Sequence, residues 1–336
     1  MTSTYLNISD VICEKIELDF QSDSHPEALT IAFGTDKNFL LGCGVAVASV
    51  IISNPQHKFS FHIFTDEFSA QTRDDFSTLA KTYKIKITVY VIDGSELNGL
   101  PITKNWTKAI YYRFIIFDYF NEKCERVLYL DSDIVCQNPL DELIRLDLGD
   151  SIAAVVADES KEWWEKRASQ LRCPAIKNGY FNSGVLLVNP GRWAEQEITK
   201  KALALLNDRE VQEYISYPDQ DILNILLAGD LLFLDVKYNT QFSLNYELKD
   251  NVSVPIKSET VFIHYIGPTK PWHAWGNYAS SQPFMDAKKQ SPWEGKKLLE
   301  PVTATQSRYA AKHFTRQKKY FLAMVCWAKY YLYKLK

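Results

Sequence analysis

Two carboxylates one residue apart close an apolar run in Arg126-Val127-Leu128-Tyr129-Leu130-Asp131-Ser132-Asp133-Ile134-Val135-Cys136. The branched and aromatic residues from Val127 to Asp133 read as a buried strand, and ligands of open α/β sheets gather outside the carboxyl ends of such strands. Two acids this close repel unless a cation lies between them, and a divalent ion bound by oxygen neutralises both. The triplet alone is more often a solvated acidic turn than a metal site. A second apolar run, Val261-Phe262-Ile263-His264-Tyr265, ends in an imidazole and leads through Gly267-Pro268-Thr269 to Lys270. A histidine there is more often a satisfied core residue than a ligand. With Asp131 and Asp133, however, it makes a mixed nitrogen and oxygen set that suits Mn2+ better than an all-oxygen Mg2+ site and leaves room for diphosphate oxygens. Such a metal would act as a Lewis acid on a leaving phosphate, and Lys270 would add a second positive charge.

The elements that must position these groups follow from periodicity. Residues 29–34 read as a strand, 35–38 as a loop and 39–52 as an apolar helix, the opening of a doubly wound fold. The glycines Gly34, Gly42 and Gly44 fit neither GxGxxG nor a Walker loop, while Asp36 and Asn38 offer an acceptor and an amide suited to a uracil edge or ribose, or simply a turn. Strands are expected at 59–65 and 85–92 with a helix at 69–83 between them. A helix over 107–120 carries Arg113 among apolar neighbours, where it is a structural ion pair or a phosphate ligand. A strand over 152–156 ends in Asp158. The helix at 161–171, with Trp163 and Trp164 beside charges, suits a lid or acceptor groove. In the strand 180–189, Ser183-Gly184 implies close approach by a ligand or another backbone. One helix is expected over 193–206. Tyr217-Pro218-Asp219-Gln220-Asp221 reads as a helix cap, 238–248 as loop and the segment before Leu29 as irregular.

A chain of 336 residues with 46% hydrophobic and 24% charged residues supports one α/β catalytic domain with an appended tail. Its six cysteines show no CxxC or zinc spacing, which points to a reducing compartment. The N-terminal residues show neither a basic region nor an apolar one, so a cytoplasmic protein is expected. Net charge is −3, yet residues 301–336 hold eight Lys or Arg and no acid, which leaves the first 300 residues at −11. Between Tyr320 and Leu335 an apolar face edged with lysines reads as an amphipathic helix lying in an anionic membrane interface, or else packed on the domain. No nucleic-acid partner is expected.

Taken in order, the 33–38 segment, Arg113 with its tyrosines, Leu130-Asp131-Ser132-Asp133, Phe181-Asn182-Ser183-Gly184-Val185, Asp219-Gln220-Asp221-Ile222-Leu223-Asn224 and His264-Tyr265-Ile266-Gly267-Pro268-Thr269-Lys270-Pro271-Trp272 resemble glycosyltransferase family 8. Within it they resemble the bacterial enzymes that add α-linked hexoses to the lipopolysaccharide outer core. The resemblance implies an α/β fold of the GT-A type over 29–280, Rossmann-like with a mainly parallel central sheet flanked by helices. An N-terminal flanking segment occupies 1–28, and a C-terminal helical, basic extension occupies 281–336. It implies Mn2+ (or Mg2+) on Asp131, Asp133 and His264, and uridine on Asp36 and Asn38 with Gly34 and Ser132 beside the donor. Arg113 and Asp158 would also contact the donor, with diphosphate on Gly267 and Lys270. Asn182, Ser183, Asp219 and Gln220 would line the hexose pocket, with Gln220 or Asp219 as the nearest catalytic side chain. Ser132 would point away from the metal. The implied reaction is retaining transfer from a UDP-hexose, UDP-galactose preferred over UDP-glucose, onto lipopolysaccharide core at the cytoplasmic face of the inner membrane. A non-catalytic sugar-nucleotide binding protein and a metal-dependent phosphoesterase are the rival classes.

Overall fold

The computed structural model describes residues 8–21, 28–102, 107–158 and 160–335. Eight strands form the main sheet: β1 (Ile12–Asp19), β2 (Leu29–Thr35), β3 (Phe59–Thr65), β4 (Lys86–Ile92), β5 (Val127–Leu130), β7 (Ala153–Ala157), β8 (Phe181–Val188) and β9 (Leu231–Leu234). Their order is β1-β4-β3-β2-β5-β8-β7-β9. The β4-β3-β2-β5 block is parallel, whereas β8 runs antiparallel to both β5 and β7. Parallel strands are covered on both faces, which is why β3 and β5 are almost wholly buried and read as continuous apolar runs.

Two hydrophobic clusters cover the faces. One joins Ile31, Phe33, Phe61 and Ile63 to the helices Leu40–Ser53 and Ala70–Tyr83; the other joins Ala32, Phe64 and Tyr129 to Tyr112–Phe120, Ile198–Asn207 and Pro218–Leu227. A second, small sheet holds β6 (Ile134–Cys136), β10 (Thr240–Gln241) and β11 (Phe262–His264) in the order β10-β11-β6.

Several expectations change. The segment before Leu29 is not wholly irregular, because β1 pairs antiparallel with β4 at the sheet edge. The run 127–133 is not one strand: β5 stops at Leu130, and Asp131 to Asp133 form the bend that carries the chain into β6. The helix expected over 193–206 is two, Pro190–Glu195 and Ile198–Asn207, broken at Glu197 with φ +50°. The 238–248 loop contains β10 and a 3-10 turn, Leu244–Leu248.

The C-terminal segment folds onto the core. Gln282–Lys289 places Phe284 and Ala287 in the first cluster, and Trp293 meets Phe76 at a centroid distance of 5.2 Å. The helices Ala304–Arg316 and Tyr320–Leu335 then pair through Ala310, Ala311, Phe314, Ala323 and Cys326, with Trp275 between them and the domain. No helix among the described residues is long and apolar enough to cross a membrane.

Candidate active site

Asp131 and Asp133 sit on the bend between the two sheets, and β11 delivers His264 beside them through its antiparallel register with β6, His264 opposite Ile134. One ligand atom from each of the three lies within 4.8 Å of the others. His264 Nε2 is 3.2 Å from Asp133 Oδ1 and 3.8 Å from Asp131 Oδ2. Its tautomer follows from a chain of hydrogen bonds anchored in backbone. The Gly184 N–H donates to Asn182 Oδ1 (3.0 Å), which also accepts from Asn239 Nδ2 (2.9 Å). Asn239 therefore turns its Oδ1 to His264 Nδ1 at 3.0 Å, so Nδ1 carries a hydrogen and Nε2 is turned toward the carboxylates, where it could serve a cation held between them. A Cβ on Gly184 would fall 2.3 Å from His264 Cε1 and 2.9 Å from Asp131 Oδ2. The close approach expected at Ser183-Gly184 is thus that of the imidazole and carboxylate themselves. Two carboxylates, an oriented imidazole and a position cleared of side chain fit a divalent cation.

Lys270 is buried, and its Nζ reaches Asp133 Oδ2 at 2.5 Å and the Tyr265 carbonyl at 2.8 Å. Burial acts to raise the Asp133 carboxyl, but Lys270 and His264 outweigh it and hold it below the usual carboxylate range.

Arg113 is 2% exposed. Nε donates to the Ile110 carbonyl (3.0 Å), Nη1 to the Ser183 carbonyl (2.7 Å), and Nη2 to Tyr129 Oη (3.2 Å) and Asp131 Oδ1 (3.1 Å), while Asp219 Oδ2 forms an ion pair with Nη1 at 3.1 Å. The sequence left open a structural pair or a phosphate ligand; the geometry is the structural pair, aimed at a candidate metal carboxylate. Asp219 is its second counter-ion, with Ser183 Oγ at 3.2 Å, and burial pushes its carboxyl up while Arg113 pulls it down.

Gln220 is buried to nearly the same degree as Asp219. Residues 218–221 do not merely precede the helix but form its first turn, Pro218–Leu227. The Gln220 Oε1 accepts from Ser183 N (3.1 Å) and Asn182 Nδ2 (3.2 Å), and Nε2 donates to Tyr180 Oη (3.1 Å). Asp158 accepts from Gln241 Nε2 at 2.9 Å and stands 3.5 Å from Gln220 Nε2.

Asp36 lines a cavity of about 590 Å3 together with Asp66, Asp93, Asn98, Thr107 and Tyr112. Its carboxylate accepts from Asn38 N (2.8 Å) and Thr107 Oγ1 (2.9 Å), and Gly34 lies beneath Tyr112. The Asn38 side chain is exposed and outside that lining. Ser132 is buried, its hydroxyl oxygen without a hydrogen-bond partner, and Gly267 is exposed with φ +84°, a left-handed turn leading into Lys270. Sequence reasoning missed Asn239, Gln241 and Tyr129. A lone Asn in Lys237-Tyr238-Asn239-Thr240 carries no pattern, and only the parallel pairing of β10 with β11 brings that segment beside His264.

The model of the family described as "Glycosyl transferase family 8" matches residues 30–276, and "Glycosyl transferase family 8 C-terminal" matches 278–334. The chain is 50% identical over 327 residues, 97% of each chain, to the lipopolysaccharide 1,3-galactosyltransferase of Salmonella typhimurium. It is 46% identical over 338 residues, 100% of each, to the lipopolysaccharide glucosyltransferase WaaO of Escherichia coli. Among solved structures it resembles the galactosyltransferase LgtC in complex with donor and acceptor sugar analogues, at 26% identity and a TM-score of 0.67, over 78% of this chain and 96% of that one. Two sheets meeting at an Asp-x-Asp bend, matched along nearly the whole length, make this chain an enzyme of the GT-A fold that belongs to glycosyltransferase family 8.

Proposed function

We propose that the chain transfers a hexose from a UDP-hexose, UDP-galactose in preference to UDP-glucose, in α-1,3 linkage and with retention, onto the lipopolysaccharide core. The observation that carries this is the convergence of Asp131, Asp133 and His264 within 4.8 Å, beside the Lys270 ammonium. Mn2+ (or Mg2+) held there supplies Lewis acidity toward the leaving diphosphate. Arg113 fixes the Asp131 carboxylate, and Asn239 fixes the imidazole. Lys270 adds positive charge, and the left-handed turn at Gly267 lets the backbone come close to diphosphate oxygens. Asp36 and the Asn38 backbone shape the uridine end. Gln220, held at both ends of its carboxamide, keeps a fixed dipole near the anomeric carbon and stabilises positive charge developing there. Asp158 and Asn182 complete that wall. The acceptor hydroxyl attacks the face that the diphosphate leaves, and the departing oxygen takes the proton. Asp219, enclosed by Arg113, supports the site and is not the nucleophile.

The curated relatives at 50% and 46% identity divide between galactosyl and glucosyl transfer, so the donor is decided by assay. Purified enzyme is incubated with truncated core and Mn2+, with either donor, and the product mass is read. Turnover from UDP-galactose that is lost with a chelator and falls at least about 100-fold in Asp133→Ala is expected, the scale of losing a principal electrostatic stabiliser. No transfer from either donor overturns the reading, and free UDP without acceptor as the main product favours a phosphoesterase.

The exposed apolar side of Tyr320–Leu335 supports docking on the anionic cytoplasmic face of the inner membrane, where a lipid-borne acceptor is met. Phe321, Met324, Tyr331 and Leu332 are each at least 60% exposed, in a segment that carries cations and no acid.

A further inference from the structure

The loop that carries Lys270 is fastened to the C-terminal helices by one buried imidazole. His313, on Ala304–Arg316, is fully buried. Its Nδ1 lies 2.7 Å from Tyr278 Oη; its Nε2 lies 2.9 Å from Asn245 Oδ1 and 3.2 Å from Thr269 Oγ1. The roles are determined. Thr269 Oγ1 donates to Asn245 Oδ1 at 2.7 Å and receives the Trp275 indole N–H at 3.3 Å. Asn245 Oδ1 can only accept, so His313 Nε2 carries the hydrogen and Nδ1 accepts from Tyr278. Thr269 precedes Lys270 in the chain and is itself fully buried. A parallel contact holds the other side of the loop. The Lys270 N–H donates to His273 Nδ1 at 3.1 Å, His273 stacks on Trp275 at 4.2 Å, and Gln317 Nε2 donates to the Trp275 carbonyl at 2.9 Å.

We propose that His313 is a positioning residue for donor binding, setting through Thr269 the backbone from which Lys270 reaches the diphosphate. This rests on the assignment of Gly267 and Lys270 to the diphosphate. A leucine would fill the space, but it would leave Thr269 Oγ1 without its third partner and Asn245 Oδ1 without its second; a satisfied polar joint fixes one loop geometry where apolar contact allows several. The helix pair that carries the exposed apolar face in this way also braces the loop that carries Lys270.

The two arms of the imidazole can be separated. His313→Gln keeps an N–H near the Nε2 position and loses the Tyr278 arm, whereas His313→Asn keeps an acceptor near Nδ1 and loses the loop arm. With Mn2+ present, His313→Asn is expected to raise the KM for the UDP-hexose and the Kd for UDP about tenfold, the lower end of losses from outer-shell partners. In His313→Gln and Tyr278→Phe both should stay within about twofold of the parent. Thr269→Val, nearly isosteric, serves where His313→Asn does not fold and should reproduce its KM. Equal KM changes in the Asn and Gln variants that follow their melting temperatures, or an unchanged KM in Thr269→Val, overturn the proposal. Lys270→Met separates the two levels: unaltered UDP binding there removes the diphosphate reading itself, whereas weakened binding there with normal Thr269→Val removes only the role of His313.

Discussion

Gly184 marks the tightest constraint on the site, since its missing side chain is what lets the His264 ring and the Asp131 carboxylate meet across β8. Gly184→Ala would place a methyl 2.3 Å from the imidazole. Overpacking of this kind costs about 1–3 kcal/mol, and a ligand displaced by about 1 Å costs about 100-fold in rate. We expect a folded protein whose turnover falls by about that factor while its melting temperature drops only modestly; kinetics and thermal melting on one preparation check it, and full turnover would mean that His264 is free to shift. At the same scale, the difference between Asp219 and Gln220 could not be read from sequence. Adjacent residues in a helix turn point apart, and which of them meets Arg113 depends on a helix from elsewhere in the chain.

Among the elements, the strands most regular in their apolar pattern matched expectation, with β3 covering Phe59–Thr65. Where length and register are set by tertiary partners, they did not. β5 ends at Leu130 because the chain turns there into a different sheet, although Asp131 N–H still bonds to the Gly184 carbonyl. The edge strand β1 is formed by pairing with β4, and its alternating burial shows only once that partner is known. Asp131 and His264 were legible because each stands at the end of an apolar run, and Asp133 and Lys270 because they follow those ends within a few residues. Asn239 and His313 were not, since each acts through a contact far away in sequence. The helix Tyr320–Leu335 keeps the expected bounds and packs one side on its neighbour: Ala323 and Cys326 are buried on that helix, and Phe321 and Leu332 face outward. Because the outward side chains make no core contact, Phe321→Glu with Leu332→Glu is expected to leave the melting temperature and turnover on soluble core within about twofold, surface changes being small. Binding to anionic liposomes should fall at least tenfold, each buried apolar side chain being worth about 1.5–3 kcal/mol. Sedimentation with vesicles measures it, and undiminished binding would show that the face serves something else.

For the whole molecule, three imidazoles in different places share a sign, His273 and His313 buried and His62 half-buried. Burial holds His62 and His273 down at about 3 and His313 at about 4, with Lys86 and Lys15 adding to the effect on His62, Lys270 and His313 on His273, and Lys312 on His313, and Glu17 opposing at His62. Unfolded, each protonates near pH 6.5. Below that pH the unfolded chain binds protons that the folded chain refuses, so stability is complete above about 6.5 and falls on acidification by up to about 1.4 kcal/mol per pH unit for each group. Melting curves from pH 7 to pH 4 should shift steadily downward, and a flat profile across that window would contradict neutral burial.

The small sheet has strands of three, two and three residues. Ladders this short have no independent stability. They persist because the Asp-x-Asp bend ties one side to the main sheet while the C-terminal helices brace the loops on the other. Local opening there costs less free energy than opening of the main sheet, so this seam is the first to come apart and the last to close. A ligand that grips Asp131 and Asp133 on one strand connection and His264 on another favours the closed seam over the open one by mass action. A cation bound across these three side chains would then lengthen the time for which this part of the protein stays assembled.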